Sequence, residues 1–342
     1  MTDRARIIDA FLAAAGWDDA ARAPLARDAS LRRYIRLHRT DGTAMLMDAP
    51  PQTGEDVRPF LAIATHLTAA GLSPPQILAK DADNGLLLLE DLGDDLLSRS
   101  AAADPGLEPE LYAAAAETLA ALQATPPPAG LHPYPADMPD LAATIVDWYA
   151  PEARAKRPAI KAAIADALAA LPPGPDVLVH RDYHADNLIW LPDRTGPRRI
   201  GLLDFQDAMT GPAEYDLASL IHDPRRPVTS AAAQVALTTW LDATGTAADA
   251  ATHRIAVCSV QRSLRILGRV FSRLSLHGGR DSYLRFIPAT WTALQRELTH
   301  PGLRDLKTLL DPILPEPTQA RLDALRAAKG RFQDQPHAEA YA

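Results

Sequence analysis

The chain predicts an α+β architecture in two lobes: a small antiparallel-sheet lobe over residues 1–92 and a large, mainly helical lobe over residues 93–342. Three observations lead there. Residues 20–90 hold short apolar runs divided by turn dipeptides, with one helical period between them. Residues 95–175 are rich in alanine and helical, and four segments between residues 213 and 298 repeat apolar residues at helical spacing. Between those helical stretches, residues 177–216 switch to three brief apolar runs with polar residues at their ends.

Taken in order, Ile7, Ile8, Phe11 and Leu12 share one helical face, so residues 3–15 form a leading helix. Residues 33–38 alternate around Tyr34 and Ile35 as a strand. Asp41-Gly42 is a hairpin signal, residues 44–48 return as the partner strand, and Pro50-Pro51 ends it. Val57, Phe60, Leu61, Ala64 and Leu67 keep helical spacing as far as Gly71, a natural stop. Residues 76–79 and 86–89 flank Asp83-Asn84-Gly85 and complete the small sheet. Composition then shifts. Leu111, Leu119 and Leu122, and later Leu141, Ile145 and Trp148, give apolar faces to alanine-rich helices. Residues 126–139 are proline-rich and extended. Residues 213–222, 230–243, 250–277 and 282–298 are helical by period, and a short helix after Glu316 precedes a polar end. The junction between the lobes is expected to form a ligand cleft.

Composition limits the function. Of 342 residues 47% are apolar, as in a folded globular protein. A net charge of -8 argues against nucleic acid or an anionic membrane as partner and leaves room for a nucleotide in a locally basic site. The single cysteine, Cys258, excludes an internal disulfide and lies in an apolar-periodic stretch, as a small buried residue does. The first residues are too charged for a signal peptide, and no apolar run reaches the length of a membrane helix. The expectation is a cytoplasmic monomer.

Residues 177–179 read as a buried strand. Residues 188–191 and 200–203 read as two more, joined through a loop holding Pro192, Asp193 and Gly196. Asp182, Asn187 and Asp204 therefore stand at strand ends. An acid, an amide five residues on and a second acid after a hairpin suit phosphoryl transfer. Asp182 can accept the proton of a substrate hydroxyl, and Asn187 and Asp204 can offer oxygens to Mg2+ on a nucleotide.

Three motifs carry a resemblance. His180 to Asn187 reads H-R-D-x-H-x-x-N, Leu202 to Asp207 reads L-x-D-F-x-D, and Pro212 to Ala218 reads P-x-E-Y-D-L-A. Together they resemble the aminoglycoside phosphotransferase and choline kinase superfamily, whose fold is protein-kinase-like and two-lobed. ASLRRYIRL, MDAPP, LLLEDLGD and QRSLRILGRVFSRL are similar, more narrowly, to the anomeric sugar kinases of bacterial cell-wall recycling. Those use ATP to phosphorylate the 1-hydroxyl of N-acetylmuramic acid and N-acetylglucosamine. The resemblance spans residues 30–298 and implies ATP and Mg2+ as cofactors, with Asp182 as acid-base residue and Asn187 and Asp204 as metal ligands. It further implies a phosphate loop from Ser30 through Arg32 and Arg33, and an adenine-holding hinge from Glu90 to Leu92. Asp207, Glu214 and Asp216 become substrate-side or supporting acids, and His180 a brace for the loop.

The pattern departs at one point. The strand of residues 44–48 should carry a lysine for the nucleotide phosphates, and Met47 stands near that place. Arg32 or Arg33 is expected to supply the missing charge, alternation turning only one of them inward. Arg262, Arg265, Arg269 and Arg273 fall on one helical stripe, either a solvated face or a basic wall on which Arg262 clamps an acceptor carboxylate. Trp148, Trp190, Trp240 and Trp291 read as core, with sugar stacking as the alternative. Two rival functions stay open: a phosphotransferase for an aminoglycoside, choline or homoserine, and a catalytically silent nucleotide-binding protein.

Overall fold

The computed structural model describes residues 3–25, 32–172 and 174–332. Its contacts divide the chain into two compact units. The first comprises Met1–Leu107 and Ala185–Ala208; the second comprises Glu108–His184 and Met209–Ala342.

The chain opens with α1 (Asp3–Ala14), whose Ile8, Phe11 and Leu12 are buried on the face that the sequence period picks out. Strand β1 (Ala21–Pro24) has no counterpart in the sequence reading. It is short, exposed along its length and closed by proline, so neither burial nor alternation marks it. Strands β2 (Arg33–Arg39) and β3 (Gly42–Asp48) form the expected hairpin, and α2 (Arg58–Ala69) follows. Strands β4 (Ile77–Asp81) and β5 (Leu86–Glu90) complete an antiparallel sheet in the order β1-β2-β3-β5-β4. Register sorts its side chains. Arg33 faces Asp48, Ile35 faces Leu46 and Leu37 faces Ala44, so these six share the side that packs on α1. Tyr34 and Met47 face each other on the opposite side. Helix α3 (Leu97–Ala103) ends this stretch.

In the second unit come α4 (Glu108–Ala124), α5 (Met138–Ala143), α6 (Ile145–Trp148), α7 (Arg157–Ala169) and β6 (Asp176–Val179). Next the chain re-enters the first unit as a two-stranded ribbon of β7 (Leu188–Trp190) and β8 (Ile200–Leu202). Strand β9 (Met209–Pro212) then pairs with β6 in the second unit. Helices α8 (Glu214–Ile221), α9 (Ser230–Thr244) and α10 (Ala248–Arg265) follow. A π-helical segment, Ile266–Ser272, joins α10 to α11 (Arg273–Leu276). Then come α12 (Ile287–Glu297), α13 (Arg304–Leu310) and α14 (Gln319–Ala327). No helix among the described residues is long and apolar enough to cross a membrane.

The division differs from the expected boundary at residue 92 in two ways. It falls at Leu107, and the β7–β8 ribbon packs with the first unit instead of the helical one. Hydrogen bonds explain the second difference. The Leu202 amide donates to the Ser73 carbonyl (3.0 Å), and the Trp190 amide donates to the Asp95 carbonyl (2.7 Å). The Ser73 hydroxyl donates to the Arg198 carbonyl (2.9 Å), and Phe205 lies against Phe60 of α2 with ring centroids 4.7 Å apart.

In the second unit the last turns of α10 are buried on every side, from Arg254 through Arg265. Val260 and Leu264, with Leu267 and Phe271 beyond them, share one core with Ile145, Val146, Tyr149 and Ile160. Gly268 is required there. A Cβ at that position would lie 2.6 Å from the Ile145 Cα, so only glycine admits the neighbouring backbone.

Candidate active site

In the second unit, β6 delivers a short polar loop. Its first residue, His180, is buried, with its ring edge-on to Tyr183 at 5.6 Å. The Tyr183 hydroxyl donates to the Ala115 carbonyl of α4 (2.7 Å), which fixes the loop from beneath. The amides of His180 and Arg181 both donate to the carboxylate of Asp216, at 2.6 and 3.0 Å. Asp216 lies in the first turn of α8 and is fully buried. Burial pushes its pKa up to about 7, with the two amide bonds acting in the opposite sense. That double anchor matters because Arg181 holds φ 75°, a left-handed conformation that costs a non-glycine residue about 1–3 kcal/mol. The Arg181 guanidinium lies 5.3 Å over the Tyr134 ring.

Asp182 follows, with its side chain 36% exposed and Nη2 of Arg265 at 3.9 Å. Lost hydration alone would raise its pKa. The charges of Arg265, Arg225 and Arg181 together outweigh that, Arg265 contributing most, and hold the carboxyl well below the usual range. Asp182 is therefore an ionised acceptor throughout the neutral range.

The first unit holds the other two predicted residues at the open end of the β7–β8 ribbon. The Leu203 amide donates to the Asn187 carbonyl (3.0 Å), closing the ribbon, and Asp204 comes next. Asp204 is exposed and also left-handed, with φ 58°. Phe205 is fully buried, while the amide nitrogen of Gln206 donates to Asp204 (2.8 Å) and reaches Asp207 (3.4 Å). The Gln206 side chain thus orients both acids. On the facing strand, burial pushes the Tyr34 hydroxyl up to about 12; the Asp204 charge acts in the same direction and Arg32 against it. Arg32 donates to Glu55 at 2.6 Å. Burial opposes its charge, and Glu55, Tyr34 and Asp207 together outweigh burial.

Asn187, Asp204 and Asp207 are thus gathered in one unit, with Arg32 on the same side of the sheet. The neighbouring Arg33 is not among them. It lies on the α1 face and donates to the buried Asp48, which also receives the Arg4 guanidinium (3.0 Å). Met47 is buried beside Tyr34 and brings no charge. Glu90 accepts from Arg194 and from the Gln76 amide (3.2 Å), and Leu92 packs on Gly201. Ser30 lies outside the described residues. Glu214 is buried and accepts from Arg254 Nε (2.8 Å), so it serves an internal ion pair in the second unit.

The arginine stripe is not a solvated face. Arg262 and Arg265 are buried, and Arg269 and Arg273 are half-buried. The π-helical segment also changes the angular step after Arg265, so the four do not keep one azimuth. Trp240 is core, its indole nitrogen donating to Gln123 (2.8 Å), and burial pushes the Cys258 thiol up. The roles of Gln206, Tyr34, His184 and Arg225 escaped the sequence reading: Gln206 and His184 lie within the motifs at positions given no role, Tyr34 reads only as a strand residue, and Arg225 belongs to no motif.

No cluster of three or more His, Cys, Asp or Glu among the described residues forms a metal cage. Asn187 and Asp204 nonetheless bring hard oxygen donors to the same end of the β7–β8 ribbon, a set that fits a cation arriving with phosphate oxygens.

Similarity to known proteins agrees with this geometry. The sequence profile described as the phosphotransferase enzyme family matches residues 22–256. A Caulobacter vibrioides protein named N-acetylmuramate/N-acetylglucosamine kinase is 36% identical, over 91% of this chain and 96% of that protein. A Pseudomonas aeruginosa protein of the same name is 33% identical, over 90% of this chain and 93% of that one. Among solved structures, a choline/ethanolamine kinase family protein from Mesorhizobium loti superposes with a TM-score of 0.63 at 17% identity, covering 95% of this chain and 99% of that one. An aminoglycoside phosphotransferase from Streptomyces rimosus, in complex with ADP and streptomycin, gives 0.53 at 18%, covering 78% and 99%. The fold is kinase-like, and the chain belongs to the phosphotransferase enzyme family.

Proposed function

We propose that the protein transfers the γ-phosphoryl group of ATP to the 1-hydroxyl of N-acetylmuramate, N-acetylglucosamine or both, in the cytoplasm, as a step in reusing cell-wall sugars. The observation that carries this reading is the name shared by relatives 36% and 33% identical over nine-tenths of the chain, in a sequence that keeps Asp182, Asn187 and Asp204.

Asp182 accepts the hydrogen bond of the 1-hydroxyl and takes its proton as oxygen bonds to phosphorus and the bond to the ADP oxygen breaks. Arg265 keeps Asp182 ionised for that role. Asn187 and Asp204 would hold Mg2+, with Gln206 fixing the carboxylate. The bound ion supplies charge neutralisation on the phosphates. Arg32, on the Asp204 side of the sheet, stands in for the absent lysine; Arg33, tied to Asp48, does not. Because the transition state is loose, positioning and charge carry most of the rate.

The buried arginines near Asp182 oppose the cationic acceptors of the rival reading. The silent-protein reading is opposed by the intact acid, amide and acid.

The test is a panel of hydroxyl acceptors with Mg-ATP, read by phosphorus NMR. An anomeric phosphate from either amino sugar is expected. Transfer only to an aminoglycoside, choline or homoserine hydroxyl overturns the assignment.

A further inference from the structure

We propose that Arg225 and Arg262 form a carboxylate pocket beside Asp182, which makes the acidic amino sugar, N-acetylmuramate, the preferred acceptor. The inference rests on the function proposed above and adds a discrimination between the two sugars that their shared kinase name leaves open.

Three buried nitrogen atoms point to an anion. Arg262 is 4% exposed, and its Nε has no hydrogen-bond partner among the described residues. Arg225 has a buried Nη1 in the same condition, and Arg265, 8% exposed, a buried Nε. A guanidinium cannot shed its proton to escape burial, and a buried polar nitrogen without an acceptor is a feature proteins rarely retain without reason. These arginines also act on one another. Burial disfavours the charge of Arg262, Arg265 and Arg225 add repulsion, and Tyr215 and Asp223 offset only part of it. Arg225 and Arg262 both press on His184 and, with burial, keep that imidazole neutral. Tyr215 and Asp223 therefore leave part of the cost of burying the Arg262 charge unanswered.

Position separates the roles. Arg265 is within ion-pair range of Asp182 and belongs to the reacting end. Arg262 lies three residues earlier on α10, one helical turn or about 5 Å back along the axis. An anion held there is not the transferred phosphoryl group, which must sit within hydrogen-bond reach of the hydroxyl at Asp182. It belongs to another part of the acceptor. The two candidate sugars differ in the lactyl ether of N-acetylmuramate, which ends in a carboxylate. A planar carboxylate suits guanidinium forks better than any hydroxyl of N-acetylglucosamine does.

The experiment compares kcat/KM for N-acetylmuramate, its methyl ester and N-acetylglucosamine, with the wild-type protein and with Arg262→Met and Arg225→Met. Wild-type protein is expected to favour the free acid over its methyl ester by at least about tenfold. In either variant the ratio of N-acetylmuramate to N-acetylglucosamine should fall by about tenfold or more. The comparison of acid with ester uses the unaltered chain, so a variant that fails to fold leaves it standing. Equal rates for acid and ester overturn the pocket while leaving the sugar kinase intact. Equal losses for both sugars in the variants, carried by kcat, overturn it in favour of contact with the transferred phosphoryl oxygens. Turnover of neither sugar by wild-type protein overturns the functional assignment together with the pocket.

Discussion

In the first unit Arg33 and Arg4 share Asp48, and Arg32 holds Glu55. In the second unit Arg265 and Arg225 act on Asp182, and Arg225, Arg262 and Arg265 retain buried nitrogen atoms without hydrogen-bond partners among the described residues. The difference teaches how to separate a structural arginine from a functional one. Asp48 is buried to 1% and accepts from two guanidinium groups, so losing it harms the fold. In the second unit the proposed bound carboxylate would supply the acceptor that Arg225 Nη1 and Arg262 Nε lack among the described residues.

The sharpest way to break this contrast is at the acids themselves. Asp182→Ala should lower kcat by about a hundredfold to ten-thousandfold while nucleotide affinity, read by calorimetry, stays near wild type. Asp204→Ala should instead abolish the Mg2+-dependent part of nucleotide binding. If both substitutions weakened nucleotide binding alike, the division of labour between the units would be lost.

Next in size is Asp48→Ala. Stranding Arg4 and Arg33 should cost about 3–5 kcal/mol in urea unfolding, with kcat retained in the folded fraction. A loss under 1 kcal/mol (about the value of an exposed pair) would show that the pair is not structural.

Asp216→Asn sharpens the comparison through pH. The folded-state pKa of Asp216 is raised, so its contribution to stability is complete below the unfolded value near 4 and is lost as pH rises through about 7. Asparagine keeps an acceptor without the charge. Stability of the variant relative to wild type should therefore rise between pH 4 and 7, by at most a few kcal/mol. Parallel curves for the two proteins would mean that Asp216 does not titrate there.

The smallest expected effect is that of Arg265→Met. Asp182 loses the main group holding its pKa down, so the acid limb of kcat/KM should move to higher pH. An unmoved limb would show that Arg265 does not tune the base.

Much of this was legible in the sequence. Hairpin signals and apolar periods located α1, β2, β3, α2 and the β7–β8 ribbon, because each couples a turn residue to a buried face. Strand β1 and helix α13 escaped, the first for want of burial and the second because only Leu306 and Leu310 mark its apolar side. At the site, Asp182, Asn187 and Asp204 were visible because short motifs hold them. The choice between Arg32 and Arg33 was not, since alternation says that they diverge but not which way. Register decided it by setting Arg33 opposite Asp48. Burial of Arg262 and Arg265 was hidden too, because charged residues at helical spacing read the same on a wet face as on a packed one.

The chain crosses from one unit to the other at Leu107, at His184 and at Ala208. Synthesis therefore cannot finish the first unit early. Its sheet emerges from the ribosome long before the ribbon that carries Asn187 and Asp204, and a chain cut after Leu107 lacks both. A nascent chain short of Ala208 should bind no nucleotide through that pair, however well its sheet has formed. Nucleotide capture by stalled ribosome complexes of graded length should switch on only once the ribbon has left the exit tunnel.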